Sequence, residues 1–274
     1  MTSHYLTYFQ LAKAPFLKEI DDEELWLPPS KMEAARRISD AVEARQSVLL
    51  CGDPGVGKTC LLRAVRHRLS GTNLRLTYCH NATLGRRDFY RQLCLALGLS
   101  AKATAASLFW AVSSHVEELT KDRIHPVFLL DEAHLLHQDT LDHLHILLNY
   151  NWDSKALLSL VLVGLPELED RLKLRRNRSL YSRIHCRERI DPLTSEDTQA
   201  YVTRRLEAAG CQRALFARDA VAMLHEATLG TMRDIDRLAG LCLEVAAQGE
   251  RSIIERDIVT RVLDGVSSRH TATG

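Results

Sequence analysis

The chain has 274 residues, a formal net charge of +1 and 46% hydrophobic content. That is enough apolar material for one or two cores. A charge near zero excludes a protein that coats nucleic acid with its whole surface, though not one with a local basic face.

The start, MTSHYLTYFQLAKAPF, lacks the basic-then-apolar pattern of a signal peptide. No run of ~18 apolar residues occurs, so no membrane-spanning helix is predicted. Cys51, Cys60, Cys79, Cys94, Cys186, Cys211 and Cys242 form no CxxC pair, and Cys51, Cys79 and Cys94 sit in apolar runs. This predicts free thiols in a reducing, cytoplasmic protein. His134, His137, His143 and His145 fall in one helical stretch without a consistent metal-ligand cluster.

Short apolar runs alternate with longer amphipathic ones. Ser47–Cys51 reads as a buried strand, followed by a helix over Lys58–Leu69. A second strand is predicted at Leu74–Cys79, then helices over Arg87–Leu97 and Ala105–Thr120. Pro126–Leu130 is the third strand, Thr140–Asn149 the next helix and Leu158–Val163 the fourth strand. A fifth, shorter strand is read at Glu188–Ile190. Strands alternating with helices predict a parallel sheet covered on both faces. After Pro192 only helices follow: Ser195–Ala209, Ala217–Thr228, Met232–Gln248 and Glu255–Leu263. Thr194 or Ser195 is the expected N-cap of the first, and Gly210 its stop. The expected organisation is an N-terminal segment over 1–46, an α/β core over 47–192, a helical domain over 193–265 and a frayed tail over 266–274.

The strongest chemical signal is GDPGVGKT, comprising Gly52, Asp53, Pro54, Gly55, Val56, Gly57, Lys58 and Thr59, with Cys60 next in the helix. It fits the phosphate-loop pattern and stands between a strand and a helix, where that loop works. Its glycines let several backbone N–H groups converge on one phosphate, and the helix N-terminus adds positive potential. Lys58 is expected on the β- and γ-phosphates of ATP, and the Thr59 hydroxyl on Mg²⁺. In VFLLDEAH, a strand delivers Asp131 and Glu132 at its C-terminal end, where ligands of parallel sheets sit. Asp131 is expected to hold Mg²⁺ through water, and Glu132 to polarise an attacking water. His134 reads equally as a water relay or as a packed side chain. In ATLGTMRDIDRLAG, Gly230 precedes a helix whose first turn carries Arg233. A cation there can sense a γ-phosphate and couple hydrolysis to domain movement.

The block order GDPGVGKT, VFLLDEAH, LVLVGLPEL, YSRI, GTMRDIDRLAGLC resembles the AAA+ ATPases. More narrowly it resembles the ExeA-type (GspA-type) family and its TnsC-, TniB- and MuB-like transposition relatives. YLTYFQLAKAPF, ELWLPPSKMEAARRI and LLNYNWDSKALLSLVLVGLPEL extend the likeness over about residues 5–265. The resemblance implies a P-loop αβα sandwich with a five-stranded parallel sheet and a small all-helical lid, in a protein that works as an oligomer with nucleotide between neighbours. It implies that Arg233 is the lid sensor and that Arg183, or Arg178, is the finger offered to a neighbour's γ-phosphate. It also implies that Tyr8, Phe9, Pro15, Phe16, Leu27 and Pro28 lie near the adenine. One departure is Leu165, where relatives carry a polar residue that positions water. Leucine cannot make that hydrogen bond, so a substitute such as Asn149, or slow hydrolysis, is expected.

Six arginines fall between Arg175 and Arg189, and Glu188 is the one acid there, so local ion-pair partners are scarce. Arg175 and Arg176, together with Arg86, Arg87 and Arg91 in LGRRDFYR, are candidate contacts to DNA phosphates, which carry little sequence preference. The leading expectation is an ATP-dependent regulator of DNA transposition that assembles on duplex DNA, recruits a transposase and is released by hydrolysis. A secretion-pathway assembly ATPase and a nucleotide-dependent signalling switch are the alternatives. The chain stops at the lid, without the membrane span and further domain of full-length secretion members, which ranks that reading second. Nothing marks the acceptor site that a small-molecule kinase needs.

Overall fold

The computed structural model describes residues 4–17, 19–79, 85–151 and 154–271. In chain order the elements begin with α1 (His4–Phe9), α2 (Pro29–Glu43), β1 (Ser47–Cys51) and α3 (Lys58–Arg68). Next come β2 (Leu74–Cys79), α4 (Arg86–Leu97), α5 (Ala105–Lys121), β3 (His125–Leu130) and α6 (Gln138–Leu147). Then follow β4 (Ser159–Gly164), α7 (Glu167–Lys173), α8 (Arg178–Tyr181) and β5 (Ile184–Arg189). Four helices end the chain: α9 (Ser195–Ala208), α10 (Arg218–Thr228), α11 (Met232–Gln248) and α12 (Arg256–Thr271).

The five strands form one sheet in the order β2-β3-β4-β1-β5, and every pairing is parallel. Strands β1, β3 and β4 are buried along their whole length, as central strands of a parallel sheet must be when both faces are covered. One face carries Leu49, Cys51, Phe128, Leu130, Leu160 and Leu162 in a core shared with Phe89 and Leu93 of α4 and Leu108 and Val112 of α5. Each side chain of that size contributes about 1.5–3 kcal/mol when fully buried. The fold is therefore the expected αβα sandwich with a five-stranded parallel sheet.

The fifth strand is longer and earlier than the pattern suggested. Ile184 is buried and Cys186 and Glu188 half-buried, while His185, Arg187 and Arg189 point outward. Only Ile184 and Cys186 are apolar before Glu188 takes the next inward place, so the alternation is too short to read as a strand, and outward charge on such a strand discourages pairing with other chains. Two short helices, α7 and α8, were also absent from the sequence reading, because seven and four residues are too few to establish a 3.6-residue period.

Contacts divide the chain into two compact units. The sheet unit comprises 31–53 and 58–190; the helical unit comprises 1–30, 54–57 and 191–274. The expected single segment 1–46 is thus parted near Ser30. The reason lies in Arg205, 7% exposed, whose Nε donates to the Pro15 carbonyl at 2.5 Å and whose Nη2 donates to that of Leu17 at 2.7 Å. Phe9 and Phe16 complete the same helical core, with Phe16 edge-on to Phe216. The Thr194 hydroxyl caps α9 by accepting from the Asp197 N–H at 3.1 Å, and Gly210, at φ +87°, follows its end, both as expected. Helix α12 runs on to Thr271, past the 266 boundary foreseen for a tail; residues 272–274 lie outside the described residues.

All seven cysteines are free. Burial pushes the Cys51 and Cys79 thiols up to about 11, which keeps them protonated and unreactive. Among the described residues no helix is long and apolar enough to cross a membrane.

Candidate nucleotide site

Strand β1 ends at Cys51 and α3 starts at Lys58, so the glycine motif forms the turn between them. Gly55 and Gly57 have φ of +79° and +100°, conformations that cost little only without a Cβ. In the sheet unit, the Gly52 N–H donates to the Gly164 carbonyl at 3.2 Å, fixing the start of the loop against β4. Lys58 is 9% exposed, and its Nζ donates to the carbonyls of Gly52 at 2.8 Å and Asp53 at 3.0 Å. An ammonium held over the mouth of such a loop is placed to meet a phosphate. The Thr59 side chain is exposed one residue further on.

The middle of the loop, 54–57, is grouped with the helical unit. There the Arg233 N–H donates to the Gly55 carbonyl at 3.3 Å. A Cβ on Gly55 would stand 2.8 Å from Thr231 Cγ2 and 3.0 Å from Arg233 Cβ, and one on Gly57 would stand 2.7 Å from Met232 Sδ. The first turn of α11 and the loop glycines are therefore in contact at distances that exclude any side chain. The Arg233 side chain is exposed. Gly230, at φ +73°, is equally constrained: a Cβ would fall 2.1 Å from the Leu193 carbonyl oxygen.

Asp131 and Glu132 follow β3, as expected. Asp131 is 8% exposed; its Oδ2 accepts from the Tyr78 hydroxyl at 2.8 Å and its Oδ1 from the Glu132 N–H at 2.9 Å. Burial, then the bond to Asp131, pushes the Tyr78 phenol well above its ordinary range, so it stays a donor. Tyr78 was not singled out from sequence, because its neighbour in β2–β3 pairing could not be known. Glu132 is exposed in left-handed backbone at φ 51°. The His134 Nδ1 lies 3.4 Å from Glu132 Oε2 and 3.5 Å from the Leu165 backbone nitrogen. The group brought to Leu165 is thus His134. Asn149, the candidate substitute, is exposed after α6, and its side chain makes no hydrogen bond among the described residues.

Two ingredients of a Mg²⁺ site fit here: a hydroxyl at Thr59 and a buried carboxylate at Asp131 whose orientation is set by two donors.

The arginine-rich stretch is less free than its local sequence implied. Arg171 Nη1 donates to the His134 carbonyl at 3.0 Å, and Lys173 pairs with Glu169. Arg176 pairs with Asp142 of α6 at 3.0 Å. Arg187 lies 3.9 Å above the Tyr181 ring and donates to the Tyr181 carbonyl. Glu188 is taken by Arg37 of α2 in a two-pronged pair at 2.7 Å. Partners come from elements distant in sequence, which the count of nearby acids missed. Arg183 is half-buried and donates to the Ser179 carbonyl at 3.0 Å, whereas Arg175 and Arg178 are exposed. On α4, Arg86 donates to His143 Nε2 at 2.7 Å, while Arg87 and Arg91 are exposed. Phe9, Pro15, Phe16, Leu27 and Pro28 are buried and Tyr8 is half-buried, so five of the six expected adenine neighbours are packed in the protein interior.

Residues 40–172 match the AAA domain family. The chain is 31% identical over 258 residues to General secretion pathway protein A of Aeromonas hydrophila, an alignment covering 93% of this chain and 47% of the relative. It therefore spans about half the length of the curated relative it matches, at 47%. Among solved structures it resembles Drosophila ORC bound to DNA, with TM-score 0.72, 18% identity and coverage of 95% of this chain and 65% of that one. It also resembles the Aeropyrum pernix ORC1 protein in complex with DNA, with TM-score 0.67, 18% identity and coverage of 92% and 68%. The Thermotoga maritima RuvB Holliday junction branch migration motor gives TM-score 0.58, 19% identity and coverage of 92% and 73%. These likenesses at low identity establish the fold. The chain is built on the AAA+ P-loop αβα fold, with a match to the AAA domain over residues 40–172.

Proposed function

We propose that this chain is an ATPase that works as an assembly switch: ATP joins copies of the chain on duplex DNA, the assembly engages a transposase, and hydrolysis releases it. The observation that carries the switch is the hydrogen bond from the Arg233 N–H to the Gly55 carbonyl. The bond ties Gly55 of the loop to the first turn of α11, which supports a reading in which occupancy of the loop biases the helical bundle. Arg233 then reads the γ-phosphate, and Arg183 or Arg178 reads that of a neighbouring copy.

In this reading Lys58 binds the β- and γ-phosphates, while Thr59 and Asp131 would hold Mg²⁺. The ion would neutralise phosphate charge as the γ-phosphoryl leaves. Glu132 accepts a hydrogen bond from the attacking water and takes its proton as the new O–P bond forms and the β–γ bridge breaks. The leaving ADP and phosphate carry the negative charge into contact with Lys58. A cytoplasmic location accompanies this reading.

Support for DNA comes from the exposed Arg87 and Arg91 and from the DNA-bound ORC structures that share the fold. The transposase partner rests on the sequence blocks that resemble TnsC-, TniB- and MuB-like proteins. A second reading, a secretion-pathway assembly ATPase, is favoured by the 31% identity to General secretion pathway protein A.

Sizing by light scattering with ATP, Mg²⁺ and duplex DNA tests the proposal. Glu132→Gln is expected to trap a large DNA-bound species, and Lys58→Ala to form none. A Glu132→Gln protein that stays monomeric with DNA overturns the switch on DNA; equal assembly without DNA favours the secretion-type reading.

A further inference from the structure

Helix α8 has four residues, and Leu180 is the one buried side chain among them. A single turn fixes several dihedrals for one hydrogen bond, so it does not hold its own direction. Yet α8 begins at Arg178 and is followed by Arg183, the two arginines that the resemblance offers to a neighbour's γ-phosphate. The direction of that segment is set from outside it.

The turn before it, Arg175–Asn177, makes the connection. Asn177 is 3% exposed. Its Nδ2 donates to the Arg171 carbonyl at 2.8 Å, and its Oδ1 accepts from Gln138 Nε2 at 2.5 Å. Gln138 Nε2 also donates to Asp142 Oδ1 at 2.8 Å, and Gln138 Oε1 accepts from Arg171 Nη2 at 3.4 Å. Arg171 Nη1 donates to the His134 carbonyl at 3.0 Å, two residues beyond Glu132. Arg176 closes the set on Asp142 Oδ2 at 3.0 Å. Each amide oxygen here faces a donor and each amide nitrogen an acceptor, so no atom has two conflicting roles. All of these residues belong to the sheet unit. They join the loop after β3, the start of α6, the end of α7 and the turn into α8. Removing one member leaves a buried group unpaired, which costs more than the bond itself.

We infer that Asn177 and Arg171 are positioning residues: they hold the arginine-bearing segment 178–183 in register with the loop that carries Asp131 and Glu132, and so serve the nucleotide site of a neighbouring copy. The inference rests on the assembly reading given above, in which that segment offers an arginine to a neighbour. A shift of the loop after β3 with its own nucleotide then moves the segment, and one copy's occupancy reaches the next copy's γ-phosphate. A network that is only structural lowers stability and has no effect that another copy could repair.

The test measures Mg-ATP turnover and ATP affinity for the full chain with duplex DNA, alone and in an equal mixture with Glu132→Gln. The variants are Asn177→Leu and Arg171→Lys. The second keeps the charge but cannot span His134 and Gln138 together, and it covers the case in which the buried substitution does not fold. Glu132→Gln lacks the base in its own site but keeps segment 178–183 intact. A misplacement of about 1 Å can cost about 100-fold in rate. Each variant alone is expected to turn over ATP about 10- to 100-fold more slowly, with ATP affinity unchanged. The mixture is expected to raise turnover several-fold, because Glu132→Gln copies serve the variant's sites. Parent-like turnover of either folded variant overturns the inference. So does slow turnover that the mixture does not raise, when Arg178→Ala or Arg183→Ala is raised in the same mixture. If neither of those arginine variants is raised, the assembly reading itself fails.

Discussion

The Arg233 backbone N–H donates to the Gly55 carbonyl at 3.3 Å, and Gly55 has no room for a side chain beside Thr231 and Arg233. The middle of the glycine turn is thereby held against the N-terminus of a helix more than 170 residues later in the chain. In the proposed switch, such a contact would pass ligand occupancy on to the helical bundle.

Gly55→Ala tests that contact. The variant must adopt φ +79° and push Thr231 Cγ2 away from 2.8 Å. Backbone strain of this kind costs about 1–3 kcal/mol. The expected result is a lower thermal midpoint together with ATP affinity weakened about tenfold or more, read by nucleotide titration. Unchanged affinity would show that the contact does not transmit.

Tyr78→Phe removes the donor to Asp131 Oδ2 and nothing else of its shape. The carboxylate then loses one of the two orienting bonds it has among the described residues. The half-saturating Mg²⁺ concentration for ATP turnover is expected to rise several-fold, on the order of one hydrogen bond to a charged group. Affinity for ATP without Mg²⁺ should not change, which titration in EDTA checks.

His125 is 5% exposed, with Nε2 2.9 Å from Ser159 Oγ. Burial, and then the nearby Arg45 charge, lower its pKa from 6.5 to about 4. A depressed histidine binds fewer protons folded than unfolded. Its contribution is complete above about 6.5 and is lost as pH falls toward 4. The loss is on the order of 3 kcal/mol at most. Denaturant unfolding at pH 7 and pH 4.5 should show a lower midpoint in acid, and the drop should shrink in His125→Phe.

Arg87 and Arg91 are exposed on α4, whereas Arg86 is engaged by His143. If α4 meets DNA phosphates, Arg87→Ala and Arg91→Ala each lower the slope of log affinity against log salt by about 1. Arg86→Ala is expected to act less on that slope than on the packing around His143. Identical slopes in all three variants would move the DNA contact elsewhere.

The sheet-and-helix alternation, the glycine loop and the DE pair were legible because each is written in contiguous residues. A 2-residue or 3.6-residue period and a glycine turn are local properties, and a strand followed by GDPGVGKT and a helix admits few other meanings. The edge strand is legible only in part because IHCRER carries two apolar residues, Ile184 and Cys186, before Glu188 takes the third inward place, and α7 and α8 are too short to set a period.

Contiguous residues supply the available chemistry: a glycine loop at Gly52–Thr59, two carboxylates after β3 and a run of arginines. Folding in three dimensions settles which side chains become neighbours. The strand order β2-β3-β4 places Tyr78 on one side of the DE pair and Leu165 on the other, with His134 turned between Glu132 and the end of β4. It also supplied Asp142 to Arg176 and Arg37 to Glu188. Sheet order depends on which buried faces pack together over long separations, and no count of near neighbours along the chain contains that information.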